Sequence, residues 1–444
     1  MNKVLIIGKG GREHALAWRF SRSPSVSKVY VAPGNKGMEN VAIPVNIGEN
    51  DFDALIKFAK EENIALTFVG PEGPLVNGIV DRFTEEGLLI FGPTAKAAQI
   101  EGSKAFAKDL MKKYNIPTAD YATFSDYEKA KEYMETVQAP IVLKADGLAS
   151  GKGVVVASTK EEADLALEEM MQQNKFGDAG GTVVIEEFLA GEEFTFMAFV
   201  NGNKVHPMLI SQDHKRVFDG DLGPNTGGMG AYSPVPQVDN EVIKKSFEEI
   251  LTKTANAMVQ EGIPFTGVLY AGLIATDKGP KVIEFNARFG DPEAEVILPR
   301  LECDLYRVIT DILENSDNKN MYIKWSEEPI VGVVLAAKGY PGDFKTGVPI
   351  KGLENLEEDT IVFHCSTDVK DDDIVTNGGR VLLIAKKGET LECAYKKVYE
   401  EIKKINCSNL FYRKDIGKRA LKKEKEQNFT LNEWILTLSE EEDD

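Results

Sequence analysis

The chain of 444 residues is predicted to be an α/β protein of three domains. Three observations predict this. The chain is too long to fold around one hydrophobic core, residues 1–103 alternate strand and helix patterns, and the pattern changes from about residue 104. We expect a Rossmann-like, doubly wound domain over 1–103 and a central domain over 104–327, with a mobile lid subdomain at about 121–190. A small mixed α+β domain over 328–430 and an acidic tail over 431–444 would follow.

The first domain is predicted from short apolar runs that end at Gly or Pro and alternate with amphipathic stretches. The runs are KVLIIG, KVYVA, ALTFVG and LLIFG, and the helical stretches include REHALAWRF and DFDALIKFAKEEN. This alternation is typical of a parallel sheet, whose ligands lie beyond the carboxyl ends of the strands. The loops GKGGREH, APGN and GPEGP are predicted to lie there.

The loop GKGGREHA resembles a dinucleotide-binding turn but departs from it. Glu13 occupies the third glycine position, and no Asp or Glu follows the second strand to bind a ribose, so NAD is not expected. Two interpretations stay open: a tight turn that packs helix on strand, or a phosphate site at the helix N-terminus assisted by Arg12.

The central domain begins with a helix from Ser103 that ends before Pro117, followed by the hairpin APIVLKADG…GVVVAS. Its loop, 146–156, is not a Walker A loop, because the glycine spacing is short and a loop between strands does not open a helix. Glycines there would let backbone N–H groups approach a triphosphate, with Lys104 and Lys144 neutralising charge. Taken singly, each lysine is more typical of a solvated surface, but together with the glycine loop and the metal donors described below the two lysines indicate a nucleotide site.

Further strands and loops follow in EEFLAGEE and in 205–236. EEFLAGEE is either an ordinary strand edge or an adenine-binding segment, in which backbone groups near Phe188 and Leu189 contact the base and Glu193 accepts from ribose hydroxyls. The segment 205–236, rich in Gly, Pro and Ser, is either a linker or an ordered binding loop, and its aromatic and Met content favours the loop.

The segment VIEFNARFGDPEAE carries the strongest chemical signal. Strand alternation places Glu284 and Asn286 on one face, where two oxygen donors suit Mg²⁺ or Mn²⁺. Arg288, two residues further, is placed to bind phosphate or carboxylate with two N–H groups. A half-buried strand with a polar face is the alternative, and the following Gly-Asp-Pro turn favours a metal and anion site.

Composition excludes several classes of protein. The net charge of −19 and pI near 4.9 disfavour a nucleic-acid binder. The four cysteines have no CxxC spacing, which disfavours zinc and disulfides and indicates a reducing, cytoplasmic location. No apolar run is long enough to span a membrane, and the N-terminus lacks a signal-peptide pattern.

These motifs together resemble the ATP-grasp superfamily and, within it, the glycinamide ribonucleotide synthetases, also called phosphoribosylamine–glycine ligases. The similarity runs from GKGGREHALAW through KADGLASGKGV, SQDHKR, GPNTGGMGAYSP and RFGDPE to VTNGGRVL and FYRKDIG. It implies ligation of glycine to 5-phosphoribosylamine with ATP and Mg²⁺ or Mn²⁺, through glycyl phosphate, in purine biosynthesis. A transient contact with the preceding amidotransferase is left open.

The resemblance also implies roles for individual residues. Glu284 and Asn286 would hold the metal, and Arg288, Lys144 and Asp213 would act in catalysis. The residues implied to bind ATP are Lys104, Lys144, Gly147, Ser150, Gly151, Gly153, Glu186, Glu187, Phe188, Leu189 and Glu193. The residues implied to bind glycine or phosphoribosylamine are Gly10, Gly11, Arg12, Glu13, Asp213, Lys215, Asn225, Thr226, Gly227, Gly228, Met229 and Arg288.

One departure and two competing functions accompany this interpretation. Glu295 stands where the family usually has Gln; because Glu293 and Glu295 would lie about 200° apart on a helix, we expect Glu295 not to bind the metal. The competing functions are another ATP-grasp ligase or carboxylase of the biotin carboxylase kind, and a nucleotide-binding regulatory module without turnover. The SQDHKR and GGMGAYSP motifs disfavour the first, and retention of both metal donors and Arg288 disfavours the second.

Overall fold

The computed structural model describes residues 1–147, 153–173, 181–314 and 323–424. The predicted acidic tail and two predicted ATP-binding residues, Ser150 and Gly151, lie outside the described residues. The rest forms several sheets flanked by helices, which confirms the predicted α/β fold class.

A parallel sheet of order β3-β2-β1-β4-β5 forms the N-terminal part. Its strands are β1 Asn2–Gly8, β2 Val26–Pro33, β3 Ile43–Pro44, β4 Leu66–Val69 and β5 Ile90–Phe91. The helices of this part are α1 Gly11–Ser21, α2 Phe52–Glu61, α3 Glu72–Val76, α4 Ile79–Glu85 and α5 Gln99–Gly102. The carboxyl ends of β1 and β4 are neighbours, so the GKGG and GPEG loops meet at one edge.

A second, antiparallel sheet, here called the lid sheet, has the order β6-β9-β7-β8. Its strands are β6 Tyr121–Phe124, β7 Ile141–Ala145, β8 Val154–Ala157 and β9 Val183–Glu187. The helices α7 Tyr127–Met134 and α8 Lys160–Met171 pack on it and bury a hydrophobic cluster separate from the main core. These elements lie within the range predicted for the lid subdomain.

The platform sheet, of order β11-β10-β16-β17, is also antiparallel. Its strands are β10 Glu192–Asn201, β11 Lys204–Pro207, β16 Thr266–Thr276 and β17 Gly279–Asn286. Helix α6, Lys104–Lys113, begins with Ser103 as its N-cap, as predicted. A long helical stretch consists of α9 Asn240–Lys245 and α10 Lys253–Gln260, joined by a π-helical segment, Ser246–Thr252.

The last large sheet follows the path β12-β15-β18-β22-β19, with β23 also paired to β18. Its strands are β12 Gln212–Asp213, β15 Gly230–Ser233, β18 Ile330–Ala337, β19 Ile361–His364, β22 Arg380–Lys387 and β23 Leu410–Phe411. Two hairpins accompany it, β13 Arg216–Phe218 with β14 Leu222–Asn225 and β20 Thr367–Lys370 with β21 Asp373–Thr376. Segment 205–236 is therefore an ordered part of the fold, because it supplies strands to the sheet of the C-terminal part. The remaining α-helices are α11 Ala294–Ile297, α12 Leu305–Leu313, α13 Leu391–Ile402 and α14 Ala420–Glu424.

One contiguous hydrophobic core joins the N-terminal, platform and C-terminal sheets. A chain of aromatic contacts crosses it: Phe68 packs on Phe91 and Phe289, and Phe199 packs on both of those residues. The three sheets therefore form one packed body, on which the lid sheet sits with its own core.

Candidate active site

A cavity of about 640 Å³ lies between the lid sheet and the platform sheet and extends toward the N-terminal and C-terminal loops. Most of the predicted site residues line it. Those that do are Arg12, Lys104, Lys144, Gly147, Gly153, Glu186, Glu187, Phe188, Leu189, Glu193, Asp213, Lys215, Asn225, Thr226, Gly227, Glu284, Asn286 and Arg288. The fold thus brings together residues that the sequence separates by more than two hundred positions.

The predicted metal donors lie at the end of β17. The pairing of β17 with β16 shifts register at Ile283, so this bulged residue is unpaired while Glu284 and Asn286 face Gly272 and Tyr270. Phe285 between them is buried, and the two oxygen donors line the cavity. Burial raises the pKa of Glu284, but the positive charges of Lys215, Lys144 and Lys104 lower it by more. The carboxylate is therefore ionised at neutral pH.

Two lysines converge on a buried carboxylate beneath the lid sheet. Lys144 Nζ lies 3.0 Å and Lys108 Nζ 3.2 Å from the same oxygen, Glu186 Oε2. Lys144 also donates to the carbonyl of the bulged Ile283, 2.8 Å away, which ties the lid sheet to β17. Among the described residues, Glu186 Oε1 is buried and has no hydrogen-bond partner. A ligand N–H group in the cavity would satisfy this oxygen.

The predicted adenine-binding segment follows β9, at one end of the cavity. Apolar side chains from the lid sheet, the platform sheet, helix α6 and the segment itself line the cavity: Met111, Val142, Val154, Val156, Leu189 and Ile274. Phe188 is 44% exposed. Two of the other acids of the segment face cations, with Glu187 2.8 Å from Lys281 and Glu193 3.9 Å from Lys215. A narrow apolar region bordered by a few polar groups suits a planar base.

Helix α6 begins at the cavity and carries Lys104. Its first amides are capped by Asp146 of the lid sheet, whose Oδ1 accepts from the backbone N–H of Lys104 at 2.6 Å and of Ala105 at 3.2 Å. Lys104 Nζ donates to the carbonyl of Gly147 at 2.7 Å. Burial and Lys144 lower the pKa of Lys104, and Glu284 opposes them. Lys108, one turn later on the same face, was missed, although the i,i+4 spacing from Lys104 is a usable signal.

Arg288 is held by two carboxylates from the N-terminal part. Its guanidinium lies 2.7 Å from Glu101 and 3.2 Å from Glu72, and it also donates to Asn286 Oδ1 at 3.2 Å. Burial raises the pKa of Glu101 to about 7 despite Arg288, whereas Arg288 and Arg12 overcome burial and lower the pKa of Glu72 to about 2. Sequence reasoning missed both acids, although it placed the GPEG loop at the correct sheet edge.

A second charged group lines the cavity floor between the platform and C-terminal sheets. Lys215 faces Glu193 and Glu284, each at 3.9 Å, and Asp213 and Glu293 lie in the same region. Burial raises the pKa of Asp213 to about 7, with Lys215 opposing. The sequence analysis predicted Asp213 and Lys215 as substrate-binding residues, but it assigned no binding role to Glu293.

Five predicted substrate-binding residues do not line the cavity: Gly10, Gly11, Glu13, Gly228 and Met229. The carboxylate of Glu13 binds groups of its own turn. It accepts hydrogen bonds from the backbone N–H of Gly10 at 2.7 Å and from Arg12 Nε at 2.6 Å. The N–H of Gly10 is therefore already occupied. Met229 is fully buried beneath the loop whose preceding residues do reach the cavity.

Arg380 and Glu295 lie near the same loops, one in the cavity lining and one outside it. Arg380 lines the cavity, lies 3.0 Å from Asp291 Oδ1 and donates to the carbonyl of Gly227 at 2.9 Å. Glu295 is fully buried and outside the cavity lining, next to Gly11. Burial and Asp291 raise the pKa of Glu295 well above its usual value.

The described residues contain neither a cluster of three or more His, Cys, Asp or Glu side chains placed for a metal nor a helix long and apolar enough to cross a membrane. The four cysteines are unpaired with one another. Glu284 and Asn286 are the predicted protein oxygen donors for a divalent cation, and the remaining ligands would come from phosphate and water. That donor set fits Mg²⁺, which keeps several non-protein ligands.

Family models match nearly the whole chain. The N domain of phosphoribosylglycinamide synthetase matches residues 2–101, its ATP-grasp (A) domain residues 102–294, and its C domain residues 330–419. The chain belongs to the phosphoribosylglycinamide synthetase family. The predicted domain boundaries stay a prediction beside these ranges.

Individual members of this synthetase family are similar to this chain over most of its length. A phosphoribosylamine–glycine ligase of Halalkalibacterium halodurans is 59% identical over 94% of this chain and 97% of its own. The crystal structure of the Thermotoga maritima phosphoribosylamine–glycine ligase has a TM-score of 0.82 and 36% identity, covering 93% of this chain and 100% of its own. A biotin carboxylase of Campylobacter jejuni, with TM-score 0.72 and 15% identity over 97% and 98% of the two chains, shares the fold.

Proposed function

We propose that this protein catalyses the ATP-dependent ligation of glycine to 5-phosphoribosylamine, giving glycinamide ribonucleotide, ADP and phosphate in purine biosynthesis. The observation that carries the proposal is the single cavity in which the oxygen donors of β17, the lysines under the lid sheet and Arg288 meet. Membership of the synthetase family supports the same reaction over alternative ATP-grasp chemistries.

The proposed reaction has two steps. An oxygen of the glycine carboxylate attacks the γ-phosphorus of ATP and ADP leaves, which forms glycyl phosphate. The amine of phosphoribosylamine then attacks the glycyl carbonyl carbon, the C–O bond to phosphate breaks, and the amine loses a proton as the amide forms. Both steps bring anions together, so fixed positive charge must lie where negative charge develops.

ATP is proposed to lie between the lid and platform sheets. The base would occupy the apolar end beside Phe188 and Leu189, where the unpartnered Glu186 Oε1 suits its exocyclic amine. Lys104 and Lys144 would contact the phosphates. Gly147 and Gly153, which line the cavity, would approach the triphosphate with backbone N–H groups.

Glu284 and Asn286 would hold a divalent cation, Mg²⁺ or Mn²⁺, which supplies charge neutralisation at the phosphates when bound. Arg288 is proposed to release Glu72 or Glu101 and to bind the acyl phosphate through two N–H groups. Because the pKa of Glu101 is about 7, this acid can give up its negative charge near neutral pH as a substrate anion takes its place.

Glycine is proposed to bind at Asp213 and Lys215, and phosphoribosylamine toward the loops of Arg12 and of 225–227. The cytoplasmic location and the transient contact with the preceding amidotransferase stay predictions.

Release of ADP tests the proposed function. Purified protein is mixed with ATP, Mg²⁺, glycine and freshly prepared phosphoribosylamine, and each component is omitted in turn. We expect full-rate ADP release only with all components present, and glycinamide ribonucleotide in amounts equal to ADP. Equal ADP release without phosphoribosylamine, or with bicarbonate replacing glycine, would contradict the proposal.

A further inference from the structure

Residues 411–417, here called the clamp segment, carry the motif FYRKDIG, which no step of the proposed reaction uses. The first of these residues lies in β23, which pairs with β18 of the C-terminal sheet. Helix α13 also fixes the segment, because Tyr399 Oη donates to the carbonyl of Arg413 at 2.8 Å and Tyr395 Oη donates to the carbonyl of Lys414 at 2.7 Å. The clamp segment is therefore anchored firmly to the C-terminal part of the protein.

The side chain of Arg413 joins the clamp segment to the β13–β14 hairpin. The residue is only 2% exposed. Its Nε and Nη2 donate to the two oxygens of Asp415, each at 2.8 Å. Its Nη1 donates to the carbonyl of Arg216 at 2.9 Å and to Asp221 Oδ1 at 3.0 Å, and both of these acceptors belong to the hairpin. A planar guanidinium can serve one carboxylate with two donors and the hairpin with a third, which an ammonium cannot reproduce.

Two further hydrogen bonds tie the turn of the hairpin to the clamp segment. The backbone N–H of Lys414 donates to Asp219 Oδ1 at 2.7 Å, and the backbone N–H of Gly220 donates to Asp415 Oδ2 at 2.8 Å. The clamp segment thus contacts both the first strand and the turn of the hairpin.

The hairpin is not part of a larger sheet within the residues that the structure describes, since β13 and β14 pair only with each other. A two-stranded hairpin alone is marginally stable in water. Val217 is buried, but Phe218 is 54% exposed and Leu222 is 64% exposed, so the hairpin buries little apolar surface of its own. Its position therefore depends on the polar contacts with the clamp segment.

The base of the same hairpin forms a wall of the cavity. Lys215 precedes β13 and Thr226 follows β14, and the N–H and Oγ1 of Thr226 donate to the carbonyl of Lys215 at 2.7 and 2.8 Å. Both residues line the cavity, as do Arg216, Asn225 and Gly227. A shift of the hairpin would therefore move this whole wall.

We propose that Arg413 is a positioning residue, which holds the β13–β14 hairpin so that Lys215 and residues 225–227 stay in place for the two substrates other than ATP. The inference rests on the proposed function, which places those substrates there, and extends it to a residue outside the cavity lining. Because a displacement of about 1 Å can cost about 10²-fold in rate, a contact remote from the reacting atoms has a measurable effect on turnover.

The test compares Arg413→Lys with Arg300→Lys in the full-length protein. Arg300 is the matched control, because it is also a buried arginine, donates to the carbonyl of Ser326 and to Ser233 Oγ, and lies outside the cavity lining. Hydrogen exchange of the hairpin amides is measured without ligands, and KM is measured for ATP, glycine and phosphoribosylamine. Thermal unfolding of each variant measures its loss of stability.

We expect the hairpin amides of Arg413→Lys to exchange about tenfold faster or more, because the hairpin opens locally once its polar contacts weaken. KM for glycine and for phosphoribosylamine should rise about tenfold or more, as for a displaced binding group, while KM for ATP stays near its wild-type value. Arg300→Lys should lower the unfolding temperature but leave hairpin exchange and all three KM values near those of wild type.

Asp219→Ala is a second variant, in the exposed turn of the hairpin, that removes only the acceptor of the Lys414 N–H. It should change hairpin exchange and the same two KM values in the same direction but by less, and it decides the question if Arg413→Lys does not fold. Unchanged hairpin exchange, or an equal rise in all three KM values, overturns the inference. Absence of turnover in wild type would contradict the proposed function, whereas the exchange comparison would still decide whether Arg413 positions the hairpin.

Discussion

Acidification is expected to destabilise this protein through two buried histidines, His14 on α1 and His364 on β19. Their rings stack with centroids 5.6 Å apart, and the backbone N–H of His364 donates to His14 Nδ1 at 2.8 Å. Burial lowers the pKa of His14 to about 3, with His364 adding to the effect, and burial lowers the pKa of His364 to about 4. Both rings are therefore neutral in the folded protein at physiological pH.

The sign and size follow from linkage. In the unfolded chain each histidine has a pKa near 6.5, so just below that pH the unfolded state binds protons that the folded state does not bind. The stabilising contribution is fully present above pH 6.5 and is lost as the pH falls toward the folded values. At pH 5, about 1.5 units below the unfolded value, the loss is about 2 kcal/mol for each histidine, at about 1.36 kcal/mol per unit.

The assay is urea unfolding at pH 8 and pH 5, for wild type and His14→Asn. Asn keeps an acceptor oxygen near the position of Nδ1, so the hydrogen bond from His364 can persist while one titrating group is removed. We expect the variant to lose about 2 kcal/mol less free energy of unfolding between the two pH values than wild type does.

Phe363→Leu is the control for lost aromatic packing, because Phe363 contacts His14 edge-on at 5.4 Å and does not titrate. It should lower stability at both pH values and leave the pH-dependent loss at its wild-type size. An equal pH-dependent loss in wild type and His14→Asn would refute the reasoning that buried neutral histidine couples α1 to the C-terminal sheet.

Three further predictions concern the cavity. Arg288→Lys should retain ATP affinity but lose roughly 10²–10³ in kcat, because an ammonium cannot reproduce two parallel N–H donors; a near-normal kcat would remove Arg288 from the transition state. Glu284→Gln should raise the Mg²⁺ concentration required for turnover, whereas Glu295→Gln should not, since Glu295 is buried outside the cavity lining; a comparable shift in both would make Glu295 a metal ligand. Hydrogen exchange over 147–153 should slow when a non-hydrolysable ATP analogue binds, and unchanged exchange would argue against a closing lid.

The parts of the site that sequence could predict are those set by local geometry. Glu284 and Asn286 are two residues apart on a strand, so alternation alone places them together, even though the bulge at Ile283 was not predicted. Lys144 precedes a glycine loop on a recognisable hairpin strand. In these cases the relevant neighbours lie within a few residues.

The parts that sequence could not predict depend on contacts between distant segments. Arg288 meets Glu72 across 216 positions, and Arg380 reaches Asp291 from the C-terminal sheet. For the Gly10 turn the sequence left a packing turn and a phosphate site open, and no spacing pattern reveals that the side chain of Glu13 accepts the N–H of Gly10. Glu293 was missed because its partners, Tyr270 and Thr195, lie on other strands.

The separate hydrophobic cluster of the lid sheet has a consequence for how ligands enter. Its apolar contacts are internal, and its joints with the body include polar ones, such as Asp146 on the N-terminus of α6 and Lys144 on the carbonyl of Ile283. If the predicted lid opens, these hydrogen bonds are exchanged for hydrogen bonds to water while the lid sheet's own hydrophobic cluster stays buried, so we expect the opening to cost far less free energy than global unfolding. Such an opening would be the predicted route for the nucleotide, while the sheets of the main core stay folded.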